Sequence, residues 1–443
     1  MTPTALHTRR RFIGSTAAAF GALVASGCMS SRSLGASGGQ NVYGPLVPDP
    51  AGLLDLPRGF TYRVLSRLGD PMDDGERVPD KADGMGCFAL PDGRWALVRN
   101  HELNQRDRAG SPLTSGYRRS PQGNILPGGT TNLVLDPRTL AVERQFRSLA
   151  GTIRNCSGGT TPWGSWLTCE EPGERVLGAA LDHGYVFEVP AAAPGLVDPV
   201  PLKAMGRFNH EAACVDPMTG IVYQTEDRDD GVLYRFVPRV PGRLADGGRL
   251  QALVAASGLA DSRNWSAPNL AVGQAVDVRW VDLDDVEAPR DDLRLRAAAK
   301  GALLVARGEG IHWGRDEAYI CSTSGGAAKL GQIFRLTPGR GGAADRLELF
   351  FESASPDQFN YGDNLTVAPD GHLLVCEDQY TAIVDNHLRG ITPDGEPYAF
   401  GRLRMQTELA GGCFSPDGRW FFVNAYSPTV TLAVTGPWAW RSA

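Results

Sequence analysis

The sequence is short of several features, and each absence narrows its function. None of its eight cysteines falls in a Cys-x-x-Cys pair, so zinc-ribbon and thioredoxin-type readings fail. Gly158-Gly159 lacks the Gly-Lys-Ser/Thr ending of a phosphate-binding loop, and Ser157 and Ser165 have no recognisable histidine and aspartate partners. Beyond the amino-terminal segment no run approaches the ~20 apolar residues that a membrane span needs. Positive charge is outnumbered, 44 Lys and Arg against 50 Asp and Glu. The formal charge is −6, or −9 once the three arginines of the acid-free first 27 residues are set aside. A general nucleic-acid binder carries the opposite balance. What abounds is glycine (54) and proline (31), without a collagen period, in a chain whose apolar and aromatic residues are spread over its length. That composition excludes fibres, coiled coils, long helical bundles and global disorder, and it points to many turns. The 443 residues are about three times a typical domain, yet β-rich architectures often use roughly 200 or more on a single one.

The amino terminus reads as a targeting device. Thr8-Arg9-Arg10-Arg11-Phe12-Ile13 precedes the short run 14–24 and then Ala25-Ser26-Gly27-Cys28. A basic patch, a short apolar run and small residues make a secretory signal. The Arg-Arg-x-Phe pattern resembles a twin-arginine signal. This implies the twin-arginine export machinery as a partner, folded export with metal already collected, and a periplasmic or extracellular location. Cys28 is a candidate lipidation site, although Ala25 stands where lipoprotein signals usually carry leucine, and membrane contact is expected only through that anchor. The expected organisation is a signal over 1–27, a linker over 28–50 and one domain over 51–443, as a monomer. Seven cysteines remain after Cys28, an odd number that leaves at least one thiol unpaired in an oxidising compartment unless a metal holds it.

A turn-and-strand unit recurs. It reads Leu90-Pro-Asp-Gly-Arg-Trp-Ala-Leu-Val-Arg-Asn-His-Glu102, then Val215 to Asp227, Ala368 to Asp378 and Ser415 to Asn424, with looser copies at Thr161 to Glu170 and Gly314 to Ser322. Each is a polar turn, a short apolar strand and polar residues where the strand ends. Six copies predict an all-β fold, a β-propeller of six blades with insertions in some of them. The stretch 239–299, rich in Ala, Arg and Asp, is the expected insertion, with short helix around Leu283–Ala299. Asp92, Asp370, Asp394 and Asp417 are expected to serve the turns. The acids at the strand ends differ: Asn100, Glu102, Glu170, Glu171, Glu211, Glu226, Asp227, Glu377 and Asp378 would converge on one mouth of the channel. Burying them together is costly without cations, and hard cations with oxygen ligands solve that problem. Spacing alone leaves surface pairs with arginines as the alternative.

Four segments carry a family resemblance: Thr152-Ile-Arg-Asn-Cys-Ser-Gly-Gly-Thr-Thr-Pro-Trp-Gly-Ser-Trp-Leu-Thr-Cys-Glu-Glu171, Gly206-Arg-Phe-Asn-His-Glu-Ala213, Arg307-Gly-Glu-Gly-Ile-His312, and Gly362-Asp-Asn-Leu-Thr-Val-Ala-Pro-Asp-Gly371 with Cys376-Glu-Asp378. They resemble the PhoX family of bacterial extracytoplasmic alkaline phosphatases over nearly the whole mature chain. The resemblance implies a twin-arginine signal, a β-propeller, and an iron and calcium cluster at the channel mouth that hydrolyses phosphate esters. It assigns Cys156, Glu211 and Glu309 to Fe(3+), and sulfur does favour a transition metal over calcium. Arg307 resembles the arginine that clamps the phosphoryl oxygens, with Asn155 as a further donor. Asn100, Glu102, Glu170, Glu226, Asp227, Asp363, Glu377 and Asp378 lie in segments resembling the Ca(2+)-binding parts. His101, His210 and His312, beside these acids, are expected to support them by hydrogen bonds. Trp163 and Trp166 are expected to pack the core. Small phosphorylated molecules are the implied substrates, and alkaline phosphatase the implied activity. Two other readings stay open, a calcium-dependent lactonase or phosphotriesterase and a noncatalytic propeller that keeps calcium for folding.

Overall fold

The computed structural model describes residues 42–172, 183–379 and 381–441; the signal segment and Cys28 lie outside them. Each of the six repeats is a turn followed by the second strand of a blade. The turn aspartates act on the backbone, since Asp92, Asp370 and Asp417 each accept the N–H two residues on, at 3.0–3.2 Å. The innermost strand of each blade precedes the repeat and is rich in small residues.

Blade 1 is Ala82–Ala89, Trp95–His101, Gly128–Leu135 and Val142–Thr152, and blade 2 is Asn155–Thr160, Ser165–Glu170 and Val186–Pro190. Blade 3 is His210–Val215, Val222–Glu226, Tyr234–Pro238 and Gly248–Ala255, and blade 4 is Gly308–Trp313, Ala318–Ser322, Gln332–Thr337 and Asp345–Glu352. Blade 5 is Gly362–Val367, Leu373–Glu377, His387–Ile391 and Pro397–Leu403. Blade 6 is Leu409–Phe414, Phe421–Ala425 and Val430–Thr435, completed by Thr61–Arg67 from the other end of the chain. That pairing, from Val430 with Arg67 to Thr435 with Thr61, ties the chain ends together and closes the ring.

The core is divided between the blades. Six apolar clusters lie one at each junction: Phe88, Val98 and Phe187 pack blade 1 on blade 2, and Leu97, Leu133 and Phe422 pack blade 6 on blade 1. The remaining junctions are filled in the same way. Each fully buried leucine or phenylalanine contributes about 1.5–3 kcal/mol. Trp166 is buried in this core, and Trp163 packs half-buried with its indole N–H on Glu188. The six innermost strands pack on one another in ring order, which small residues permit. A Cβ on Gly159 would sit 1.7 Å from the Ala213 carbonyl oxygen of the next blade.

Two features add to the ring. Ala275–Asp282, within the expected insertion, pairs with the outer strands of blades 3 and 4 and fuses them into one sheet. The short helix there spans Leu293–Ala299. Leu46–Val47 pairs with Leu54–Pro57 along the outside of blade 5, so strand begins within the segment read as linker. All seven described cysteines are free thiols, six of them buried.

Candidate metal centre

The site follows from one irregularity repeated six times. In every blade the pairing of first and second strands slips near the mouth: between Ala82 and Met85, Asn155 and Gly158, His210 and Ala213, Gly308 and Ile311, Gly362 and Leu365, and Ala410 and Cys413. A bulge leaves an unpaired residue and re-aims its side chain. The first bulged residues are Asp83, Cys156, Glu211, Glu309, Asp363 and Gly411, and the five that carry donors line one cavity. Gly411 fills the sixth place because its φ is +66° and a Cβ would meet the Asp83 carbonyl at 2.1 Å.

A second tier lies just beyond the second strands, fixed by a hydrogen bond that also repeats in each blade. The N–H groups of Glu102, Glu171, Asp227, Thr323, Asp378 and Tyr426 donate to the carbonyls of Lys81, Arg154, Asn209, Arg307, Tyr361 and Glu408, at 2.8–3.2 Å. Glu102, Glu171, Asp227 and Asp378 thereby join the cavity lining, and of the residues that accept these bonds Arg154, Arg307 and Glu408 complete it. The cavity has a volume of about 60 Å³.

Nine carboxyls and a thiol thus face two guanidiniums. Arg307 holds Asp227 and Glu309, each at 2.7 Å, and Arg154 holds Glu102 at 2.7 Å and also Glu171. The Asn209 amide donates to Glu171 at 3.0 Å, and the Tyr426 hydroxyl bonds Glu102. The arginines do not balance the acids. Burial first, and neighbouring carboxylates second, push Asp83, Glu211, Glu309 and Glu408 well above the ordinary carboxyl range. Asp363 is pushed up to about 8 by burial and then by Asp378. Glu171 is raised by burial, against the pull of Arg154. Burial, then Glu211, raises the Cys156 thiol.

These donors fit bound cations. One ligand atom each from Cys156, Glu171 and Glu211 lie within 4.8 Å of one another, and so do atoms from Glu211, Glu309 and Asp363. Glu211 belongs to both sets, as a bridging carboxylate would. The set with sulfur suits a transition metal, and the all-oxygen set a hard cation.

Of the residues singled out in the sequence, Cys156, Glu211, Glu309, Arg307, Glu102, Asp227, Asp363 and Asp378 come together in this cavity. Five do not. Glu170, Glu226 and Glu377 are the last paired residues of their strands, opposite Asn155, His210 and Gly362, so the period of two turns them away from the mouth. Glu170 accepts the N–H groups of Ile153, Gly184 and Tyr185 and lies 2.7 Å from His183 Nδ1. Glu226 accepts the Tyr234 hydroxyl at 2.8 Å and is raised to about 8 by burial. Glu377 holds Arg389 at 2.7 Å and accepts the N–H groups of Asn360 and His387.

Asn100 and Asn155 also lie behind the ring. The Asn100 amide donates to the carbonyls of Cys156 and Ser157, at 3.1 and 2.8 Å, and so braces the bulge that aims the thiol. Asn155 bonds Thr168 and Thr152. The three histidines do not bond the acids: His101 meets the Asp80 carbonyl and Thr131, His210 the Gly206 carbonyl, and His312 the Trp313 carbonyl. Sequence reasoning missed Asp83, Glu408 and Arg154, and it left Glu171 in the acidic group without a ligand role.

The sequence matches the family Alkaline phosphatase PhoX over residues 41–138 and 127–429. Among curated proteins no sequence matches it. Among solved structures, PhoX of Pseudomonas fluorescens in complex with vanadate, a transition state analogue, is similar, with a TM-score of 0.68 and 19% identity over 90% of this chain and 98% of that one. Lower similarity relates the chain to a gluconolactonase of Xanthomonas campestris, with a TM-score of 0.46 and 13% identity over 89% of this chain and 98% of the other. The periplasmic gluconolactonase PpgL of Pseudomonas aeruginosa gives 0.41 and 14%, over 85% and 96%. The family match spans nearly all of the propeller, including every residue of the acidic cavity, and on that basis the chain belongs to the PhoX family of alkaline phosphatases and is a phosphatase.

Proposed function

We propose that this phosphatase hydrolyses phosphate monoesters outside the cytoplasm, with iron and calcium held in the acidic cavity. One observation carries the reading: a thiol, a ring of carboxyls and two guanidiniums share a single polar cavity at a propeller mouth. Cys156, with Glu171 and Glu211, would hold the iron that sulfur favours, joined by Glu309 through the shared Glu211. Asp83, Glu102, Asp227, Asp363, Asp378 and Glu408 supply oxygen for calcium. When bound, such cations supply Lewis acidity and offset the charge that a phosphoryl group develops in transfer. The Pseudomonas fluorescens relative binds vanadate, a transition state analogue, which supports phosphoryl-ester hydrolysis as the reaction.

The chain's own residues bind and orient. Asp227 fixes the Arg307 fork through Nε at 2.7 Å and Nη2 at 3.2 Å, so the guanidinium is positioned before an ester arrives. Its Nη1, which no acceptor among the described residues takes, is left to donate to a nonbridging phosphoryl oxygen. Asn100 keeps the Cys156 bulge in place from behind. The Arg9-Arg10 pair and the short run after it support twin-arginine export, and Cys28 is the proposed acylated residue.

The test is elemental analysis of protein exported by its own signal, with hydrolysis of a chromogenic phosphate monoester by wild type and Cys156→Ala. Iron and calcium in the wild type are expected, with iron and turnover both lost in a folded variant. Calcium without iron, or full turnover in the variant, would sink the reading.

A further inference from the structure

Arg154 repeats, in blade 2, the placement of Arg307 in blade 4. Each lies two residues before a first bulged residue, Cys156 and Glu309, and each gives its carbonyl to the N–H of the second-tier residue. Each holds a left-handed backbone, at φ 43° and 47°, as Lys81 and Tyr361 do at the same place in blades 1 and 5. Each spends Nε and Nη2 on two carboxylates, Glu102 and Glu171 for one, Asp227 and Glu309 for the other. Neither Nη1 has an acceptor among the described residues, and neither is an enclosed, orphaned atom. Both side chains are a quarter exposed, at 26% and 25%, whereas the acids they hold are 5–16% exposed. Each guanidinium therefore keeps one amino group accessible beside the cavity, open to an incoming acceptor.

We propose that Arg154 is a second phosphoryl-binding residue, on the same arc of the cavity as Arg307, and that the two guanidiniums select a terminal phosphoryl group over a diester. This rests on the phosphatase reading. A monoester offers three nonbridging oxygens and two negative charges, enough to meet both guanidiniums while an oxygen stays with the metals. A diester offers two oxygens and one charge, and its second ester chain would lie against one guanidinium.

The experiment uses the exported, metal-loaded enzyme as wild type, Arg154→Met and Arg154→Lys, with metal content measured in each. Two readouts are taken: equilibrium binding of inorganic phosphate, and the ratio of kcat/KM for a chromogenic monoester to that for the matching diester. Loss of a charge-assisted donor is expected to weaken phosphate binding about tenfold or more in Arg154→Met. The monoester:diester ratio is expected to fall by a similar factor, with metal content unchanged. Arg154→Lys keeps a cation beside Glu102 and Glu171 but no guanidinium, so it should hold its metals and still lose phosphate affinity. Unchanged phosphate binding in both variants would overturn the proposal, as would a loss that tracks lost metal or an equal fall for the two esters. A wild type that hydrolyses neither ester yet binds phosphate through Arg154 would refute the phosphatase reading and leave the two-guanidinium site standing.

Discussion

Removing the metals is expected to make the protein more stable in mild acid than at alkaline pH. In the metal-free cavity burial, and then Asp378, raises the Asp363 carboxyl from 3.8 to about 8. The folded state therefore keeps a proton that the unfolded chain has already released. Stability tied to that proton is fully present below about pH 4 and is lost as the pH rises through about 8. The separation corresponds to on the order of 5 kcal/mol, of which about 3 kcal/mol falls between about pH 5.5 and about pH 8. For a chain of this size that is a drop of about 3–6 °C in Tm, scaling from smaller domains. Asp83, Glu211, Glu309 and Glu408, raised by the same causes, steepen the slope in the same direction.

The assay is thermal melting by tryptophan fluorescence of chelator-treated and metal-loaded protein across that pH window. Loaded protein should melt higher, with little slope, because cations replace the protons. Asp363→Asn supplies the control, raising the Tm of metal-free protein at about pH 8 and lowering that of loaded protein by removing a donor. A metal-free Tm that is flat or rises with pH over the window would refute the reasoning, and so would an Asp363→Asn variant with an unchanged metal-free melt.

Three further outcomes are expected. Glu170→Gln should cost about 1–3 kcal/mol of stability, because its carboxylate takes three backbone N–H groups beside His183, yet leave metal content intact. Glu171→Gln should do the reverse, and elemental analysis with melting curves separates the neighbours. Cys156→Ser is expected to lose a transition metal selectively while calcium stays, which metal analysis of the exported variant checks. Arg99 is fully buried, its side chain has only the Thr131 and Thr431 hydroxyls as partners among the described residues, and burial lowers it to about 9. Arg99→Met should therefore match wild type within about 1 kcal/mol or exceed it in denaturant melts, and a loss above about 2 kcal/mol would show that its contacts outweigh its desolvation.

The propeller was legible because its second strands announce themselves. Trp95–His101, Leu373–Glu377 and Phe421–Ala425 are apolar and follow turns with aspartate and glycine, so copies can be counted. The innermost strands were not legible as strands. Asn-Cys-Ser-Gly-Gly-Thr and Gly-Glu-Gly-Ile-His-Trp have neither apolar alternation nor β-branched enrichment, since close packing around the channel demands small residues instead. Asp83, in Lys-Ala-Asp-Gly-Met-Gly, accordingly looks like a turn, and only the bulge shared by all six blades reveals it as the counterpart of Cys156 and Glu309.

The adjacent acids posed a different problem. In Glu170-Glu171, Glu226-Asp227 and Glu377-Asp378 one member faces the cavity and the other faces away, and a one-residue slip would exchange them. Composition cannot choose between neighbours that are both acidic. The repeats can, because in blade 1 the pair is His101-Glu102, with a single acid. Aligning the copies on that pair puts Glu171, Asp227 and Asp378 in the column of Glu102, and Glu170, Glu226 and Glu377 in the column of His101, Ser322 and Ala425. The second column mixes acids with neutral residues, and none of them lines the cavity, as a position behind the ring requires. The first carries an acid in four blades, and its members in blades 4 and 6, Thr323 and Tyr426, stand where the site draws instead on Arg307 and Glu408. The ring of donors is therefore uneven, and the chemistry assigned to it falls on the arc from Arg154 through Glu211 to Arg307, where both guanidiniums and the thiol lie.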